Sequence, residues 1–180
     1  MREVHYMDTL HLKRMDIDDK ERVLDYVQEL VVCGSKRDGL WYEDSESFEK
    51  MLENLDRHAN IKFTSYEQTD TPCIQYLLIR DIDNKMVGAV SIRPYLTKRL
   101  DETFGGNIGY SIRPSERRKG YATIGLKLAI DICKSINPKD SIMVCCYKDN
   151  IGSKKTILKN GGRLVEERDG IIPHHKYLID

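Results

Sequence analysis

The chain carries no excess of either charge: 29 lysines and arginines balance 29 aspartates and glutamates among 180 residues. Without a net field, neither a nucleic acid nor a membrane surface is expected as a partner, although a local basic cluster can still act. Long hydrophobic stretches are missing too. Nothing approaches the run of about 18 apolar residues that a membrane-crossing helix needs, and the amino terminus lacks the basic-then-apolar pattern of a secretory leader. A cytoplasmic protein is the expectation. The five cysteines are odd in number, with Cys145 and Cys146 adjacent, and none stands in a Cys-x-x-Cys spacing. That argues against a disulfide framework and against a zinc site, and leaves reduced, packed thiols. His174 and His175 are neighbours that a strand turns to opposite faces, with no third ligand nearby in sequence, so no metal is expected. Two common phosphate loops are absent as well: there is no Gly-x-x-x-x-Gly-Lys-Ser/Thr, and no Gly-x-Gly-x-x-Gly after a strand.

What is present reads as one α/β domain over residues 1–180, long enough for a single core and short for two. From Asp18 or Asp19 the apolar set Val23, Tyr26, Val27, Leu30 and Val31 recurs at helical spacing and stops at Gly34. A second helix fits Ser45 to Arg57, capped by Ser45 or Ser47. These two make residues 1–70 a helical part, with Trp41 and Tyr42 in the loop between them. The remainder, residues 71–180, reads as a mixed sheet with helices. Gln75 to Ile82 and Lys85 to Ile92 form an antiparallel hairpin about Asp83-Asn84, and Leu96 to Gly106 is a polar connection. Asn107 to Ile112 and Ser141 to Tyr147 are strands of a β-α-β unit, expected to be parallel. A helix over Ile151 to Asn160 opens at Asp149-Asn150 and closes at Gly161-Gly162. Arg163 to Glu167 and Ile171 to Ile179 form a last hairpin, whose final strand is a candidate for pairing across a homodimer.

The chemistry concentrates between Gly105 and Thr123. The strand ending at Ile112 is stopped by Pro114, and from Ile124 the residues Ile124, Leu128, Ile132 and Ile136 recur every fourth position, with Lys127, Asp131 and Lys134 opposite. Between them Arg117, Arg118, Lys119, Gly120, Tyr121 and Ala122 fall where the first turn of that helix begins. The first four N–H groups of a helix lack intrahelical partners and carry the positive end of its dipole, so they attract anions. Gly120 and Ala122 leave room for a phosphate to reach the backbone, and three cations in a row add long-range attraction. A diphosphate suits such a turn.

The pattern Arg117-x-x-Gly120-x-Ala122 resembles the acetyl-CoA pyrophosphate loop of the GNAT (Gcn5-related) N-acetyltransferases, whose signature is Gln/Arg-x-x-Gly-x-Gly/Ala. The likeness continues in Asn150-Ile151-Gly152-Ser153 and in Gly161-Gly162 before a hairpin, and is specific over about residues 86–168. The group described only as predicted acetyltransferases shares the run Ile108 to Pro114. The resemblance implies a GNAT-like fold and direct acetyl transfer to a primary amine, of a small molecule or a peptide, with acetyl-CoA as co-substrate and no metal. It places the acetyl-CoA contacts at Ser111, Ile112, Arg117, Arg118, Lys119, Gly120, Tyr121, Ala122, Thr123, Asn150 and Ser153. An N–H near Ile112 would polarise the thioester carbonyl. Many members carry a tyrosine seven residues after the asparagine as general acid, where this chain has Ile157. That departure leaves Asn150, Ser153 and Tyr147 as candidate catalytic residues, with Tyr110 a further proton donor. For the base it leaves Asp101, Glu102 or a water relay. Trp41 and Tyr42 are candidates for the acceptor pocket, and the alternative function is a CoA-binding or interaction module with little transferase activity.

Overall fold

The computed structural model describes residues 8–180. An antiparallel four-stranded sheet is built from β1 (Leu10–Arg14), β2 (Ile74–Arg80), β3 (Lys85–Ile92) and β4 (Ile108–Ile112), in that order. The strand β1 lies within residues 1–16, whose irregular alternation assigns no element from sequence; pairing with β2 makes its five residues a strand. A short 3-10 turn over Ile17–Asp19, held by a reciprocal capping box between Asp16 and Asp19, leads into α1 (Lys20–Val32). Ser47 caps α2 (Phe48–Ala59) through its hydroxyl. Both helices lie on one face of the sheet, where Val23, Tyr26, Leu30, Met51 and Leu55 meet Leu77, Ile79, Met86 and Ala89. A bulge between Leu78 and Ile79 shifts the register against β3, so that Met86 and Ala89, three residues apart, share that face.

The opposite face takes α4 (Tyr121–Ile136). Its buried residues are Tyr121, Gly125, Leu126, Ala129, Ile130 and Cys133, whereas Ile124, Leu128 and Ile132 are half-buried and Ile136 is exposed. The every-fourth-residue stripe is therefore not the buried side. The small residues turn inward because the helix packs close: a Cβ on Gly125 would stand 2.9 Å from Leu78 Cδ2. A short helix, α3 (Lys98–Glu102), interrupts the connection expected to be irregular.

The second sheet holds β5 (Ile142–Tyr147), β6 (Arg163–Arg168) and β7 (His174–Ile179), in the order β5-β7-β6, all antiparallel. The helix α5 (Ile151–Lys159) packs against α4. Two expectations change here. Because β7 is hydrogen-bonded on both sides, it offers no free edge for pairing across a dimer. And β4 and β5 form no parallel ladder; they meet at one point, Asn107, and diverge. The Asn107 amide donates to Met143 O (2.8 Å), its side-chain Oδ1 accepts from Met143 N (2.8 Å), and its Nδ2 donates to Arg93 O (2.8 Å). At 4 % exposure this side chain is the rivet where the two sheets part.

Candidate active site

The divergence opens a cleft of about 890 Å³ between β4 and β5, floored by α4 and flanked by α5. Its lining includes Ser111, Ile112, Arg117, Arg118, Gly120, Tyr121, Ala122, Thr123, Tyr147, Asn150 and Ser153, so the structure gathers nearly every residue singled out in the loop and on the β5 side. The hydrogen bond from Arg113 N to Val87 O sets the phase of the β3–β4 ladder, and alternation then turns the backbone groups of Tyr110 and Ile112 toward the open edge.

The loop at the head of α4 follows from its backbone. Arg118 (φ 65°) and Gly120 (φ 87°) are both left-handed, a conformation that costs a non-glycine residue about 1 kcal/mol. Gly120 is the N-cap, and its carbonyl accepts from Thr123 N (3.0 Å) and Ile124 N (3.3 Å). Among the described residues, no acceptor lies within hydrogen-bond reach of the N–H groups of Arg118, Lys119, Gly120, Tyr121 and Ala122. Open space stands over Gly120. Successive unpaired amides at a helix N-terminus form an anion cradle.

The three basic side chains do not act alike. Arg117 donates from Nε to Ile112 O (3.1 Å) and from Nη2 to Ser35 Oγ (2.9 Å), tying the loop to β4 and to the α1–α2 connection. Lys119 donates to Glu116 (2.7 Å), which also receives Arg80 and Lys85 (2.8 Å each). Of the three, Arg118 alone has no hydrogen-bond partner for its side chain among the described residues, and it is exposed at the cleft rim. Burial alone would raise the Glu116 carboxyl, but hydrogen bonds from Lys119, Lys85 and Arg80 outweigh it and hold its pKa at about 2. Tyr121 is buried, donating to Asp8 and accepting from Arg80, so its role is to seat the helix. Arg113, 3 % exposed, ties the end of β4 to Met86 O and to Glu29, and Glu29 in turn accepts from Ser115 N (2.7 Å).

On the opposite wall Asn150 Oδ1 caps α5 by accepting from Ser153 N (3.0 Å). The Ser153 hydroxyl lies 2.7 Å from Tyr110 OH, whose ionisation burial pushes well above the ordinary phenol value. Tyr147 stacks on Phe104 (4.5 Å between ring centres), with Lys36 Nζ 3.5 Å from its ring centre on the other side. Cys145 and Cys146 both line the cleft, Cys146 also packing into the core; burial pushes the Cys145 thiol to about 11, which keeps it protonated. Ile157 is fully buried in the core among Leu126, Ala129 and Tyr177 and does not line the cleft.

The acceptor side departs from expectation. Trp41 packs its ring on His58 (4.3 Å) and Tyr42 lies by Arg37, both against the α1–α2 core and outside the cleft lining. It is their neighbours Ser35, Lys36, Asp38 and Gly39 that reach the cleft. Gly39 (φ 76°) lies so close to β4 that a Cβ would stand 2.4 Å from Tyr110 Cα. Buried Gln75 fastens this loop, donating to Gly39 O (2.7 Å) and accepting from Trp41 N (3.1 Å). Asp101 accepts from Tyr66 OH (2.8 Å), and neither it nor Glu102 lines the cleft. Sequence reasoning did not single out Asn107, Arg113, Glu116 or Asp38 as site residues. The one acid inside a basic run, Glu116, and the Asp38-Gly39 turn pair were the available signals.

A profile of the acetyltransferase (GNAT) domain matches residues 9–163. No curated protein sequence matches the chain. Among solved structures, the ribosomal-protein-S5-alanine acetyltransferase from Vibrio fischeri superposes with a TM-score of 0.67 at 14 % identity, covering 97 % of this chain and 94 % of that one. A GNAT-family acetyltransferase from Bacillus anthracis gives 0.64 at 16 % identity, covering 97 % and 96 %. Spermidine N-acetyltransferase from Vibrio cholerae, solved with CoA and spermine, gives 0.63 at 14 % identity, covering 94 % of each. With the domain profile spanning most of its length, and with the splayed strands and the amide-rich turn between them, the chain belongs to the GNAT acetyltransferase family.

Proposed function

We propose that the protein transfers an acetyl group from acetyl-CoA directly to the primary amine of a small molecule or peptide, in the cytoplasm. The observation that carries this reading is the set of five unpaired amides, Arg118 to Ala122, opening into the cleft between β4 and β5. They hold the diphosphate, with the Arg118 guanidinium at the rim. The open edge of β4 takes the pantetheine arm as an added strand. The Ile112 N–H donates to the carbonyl oxygen as it becomes anionic, a contribution of about 3 kcal/mol for one well-placed donor. Ser153 and Tyr110, hydrogen-bonded to each other, supply a proton at the leaving sulfur, while Asn150 and Tyr147 line the wall beside it. Five free cysteines suit a reducing compartment.

Isothermal titration with coenzyme A tests the loop. The wild-type protein is expected to bind, and Gly120→Glu, which puts a carboxylate and a strained φ into the cradle, to lose binding; equal binding by both ends the proposal. A second reading, a CoA-binding module with little turnover, is favoured by the burial of Ile157 at the position where many members carry their acid. Thiol release from acetyl-CoA across a panel of amines separates the two.

A further inference from the structure

Three carboxylates line the cleft: Asp38, Glu116 and Asp149. Glu116 is engaged by Arg80, Lys85 and Lys119, and Asp149 sits exposed beyond the end of β5. Asp38 is different. It is half-buried, and among the described residues no hydrogen-bond donor reaches its carboxylate. Burial raises its pKa, with Lys36 pulling weakly the other way. Its position is fixed by the next residue: Gly39 is pressed on Tyr110 and held by Gln75, so Asp38 stands about 3.8 Å along the chain from that contact. This puts it beside the stretch of β4 whose open edge carries the Tyr110 and Ile112 backbone groups.

We infer that Asp38 receives the acceptor's ammonium group and takes the first proton it must lose, and that the acceptor is a singly charged α-amine such as the N-terminus of a peptide. This rests on the transferase reading above. The remaining charges on the lining are cationic: Lys36, Arg93, Arg117, Arg118 and Lys159. Asp38 is the one half-buried carboxylate on this lining without a partner, Asp149 being unpaired but exposed, so it can balance one ammonium, and no second half-buried, unpaired carboxylate meets the further charges of a polyamine. The base strength agrees. An α-amine titrates near 8 and an alkylamine near 10.4, so at a given pH the α-amine offers a neutral fraction larger by about 300-fold. A carboxylate, even one raised by burial, is a weak base and favours the more acidic ammonium.

Asp38 accepts one ammonium proton, exposing the nitrogen lone pair, which forms the N–C bond to the acetyl carbon. The C–S bond breaks with its electron pair leaving on sulfur. The second nitrogen proton ends on that sulfur, directly or through the Ser153 and Tyr110 hydroxyls, and Asp38 returns its proton to solvent.

The test compares wild type, Asp38→Asn and Asp38→Glu, with alanyl-alanine amide and spermidine as acceptors. Coenzyme A affinity by titration is expected to be the same in all three proteins. For the dipeptide amide, Asp38→Asn should lower kcat/KM by about 100-fold or more and Asp38→Glu should restore part of it. The wild-type pH profile should show an acid limb that Asp38→Asn removes. Lys36 on the same loop is the charge that acts on Asp38, while Tyr110 of β4, Arg93 after β3, Arg117 and Tyr147 of β5 share the cleft lining, and none of them is altered in the variants. Spermidine should be used at least tenfold less efficiently than the dipeptide amide. An Asp38→Asn rate within threefold of wild type, a persistent acid limb or a preference for spermidine overturns the inference. So does failure of a CoA-binding wild-type protein to turn over the dipeptide amide. Loss of coenzyme A binding by wild type itself would instead remove the underlying transferase reading, and the inference with it.

Discussion

Replacing Asn107 with alanine removes two hydrogen bonds at the point where the sheets separate, and the backbone groups left behind have nowhere else to turn. Met143 N loses its acceptor and Arg93 O loses the Nδ2 donor, both at 2.8 Å in the native protein. The side chain is 4 % exposed, so water reaches these groups poorly. An unsatisfied buried polar group costs about 1–3 kcal/mol, giving about 2–5 kcal/mol for the pair after partial hydration of the hole. In a domain of this size each kcal/mol moves Tm by about 2–4 °C, so thermal unfolding followed by circular dichroism should show a loss of about 5–15 °C. Asn107→Asp gives a sharper reading. It keeps the acceptor for Met143 N but sets a carboxylate against the Arg93 carbonyl, so its folded pKa is raised above the unfolded value. The deficit relative to wild type should be full above that folded pKa and should shrink as pH falls through it, because the protonated carboxyl can donate to Arg93 O. A destabilisation of under about 0.5 kcal/mol for Asn107→Ala, within the range of ordinary surface changes, would show that the two sheets do not depend on this side chain.

Two further outcomes follow from the same contacts. The Glu116 carboxyl is held at about 2 against its ordinary 4.5, so the stability it contributes is full above pH 4.5 and is lost as pH falls toward 2. Glu116→Gln should therefore lower Tm near neutrality and flatten its decline below pH 4.5; parallel curves for variant and wild type would count against the cluster's role. Gly39→Ala forces a Cβ to within 2.4 Å of Tyr110 Cα at a left-handed φ, so the α1–α2 loop must lift from β4. Trp41 is the only tryptophan and sits two residues along, so a red shift of its emission should accompany a fall in Tm, and an unchanged spectrum would contradict the packing described.

Local patterns carried the elements whose cause is local. Asn150 caps α5 and Gly161 follows it at φ 83°, because caps and left-handed terminators act within a turn of their own residue. The turn before α4, with its open amides and Gly120 in the left-handed region, was legible for the same reason. Irregular β1 and short α3 were not, since pairing with β2 and docking beside the cleft are what stabilise them. Nor was the inward face of α4, where both flanks are apolar and only the closeness of Leu78 selects the side bearing Gly125 and Ala129.

The amino-acid order alone determined a glycine-bearing turn between a strand and a helix with unpaired N–H groups, since such groups and glycine conformations depend on neighbours a few residues away. The tertiary structure decided how that turn is used. It opened β4 from β5 at Asn107, drew Lys119 to a glutamate that also holds Arg80 from 36 residues earlier, buried Ile157, and brought Asp38 to the cleft in place of Trp41. Apart from the local Lys119–Glu116 pair, each of these rests on long-range contacts, and which of several similar side chains is engaged or left free depends on contacts that no local spacing encodes.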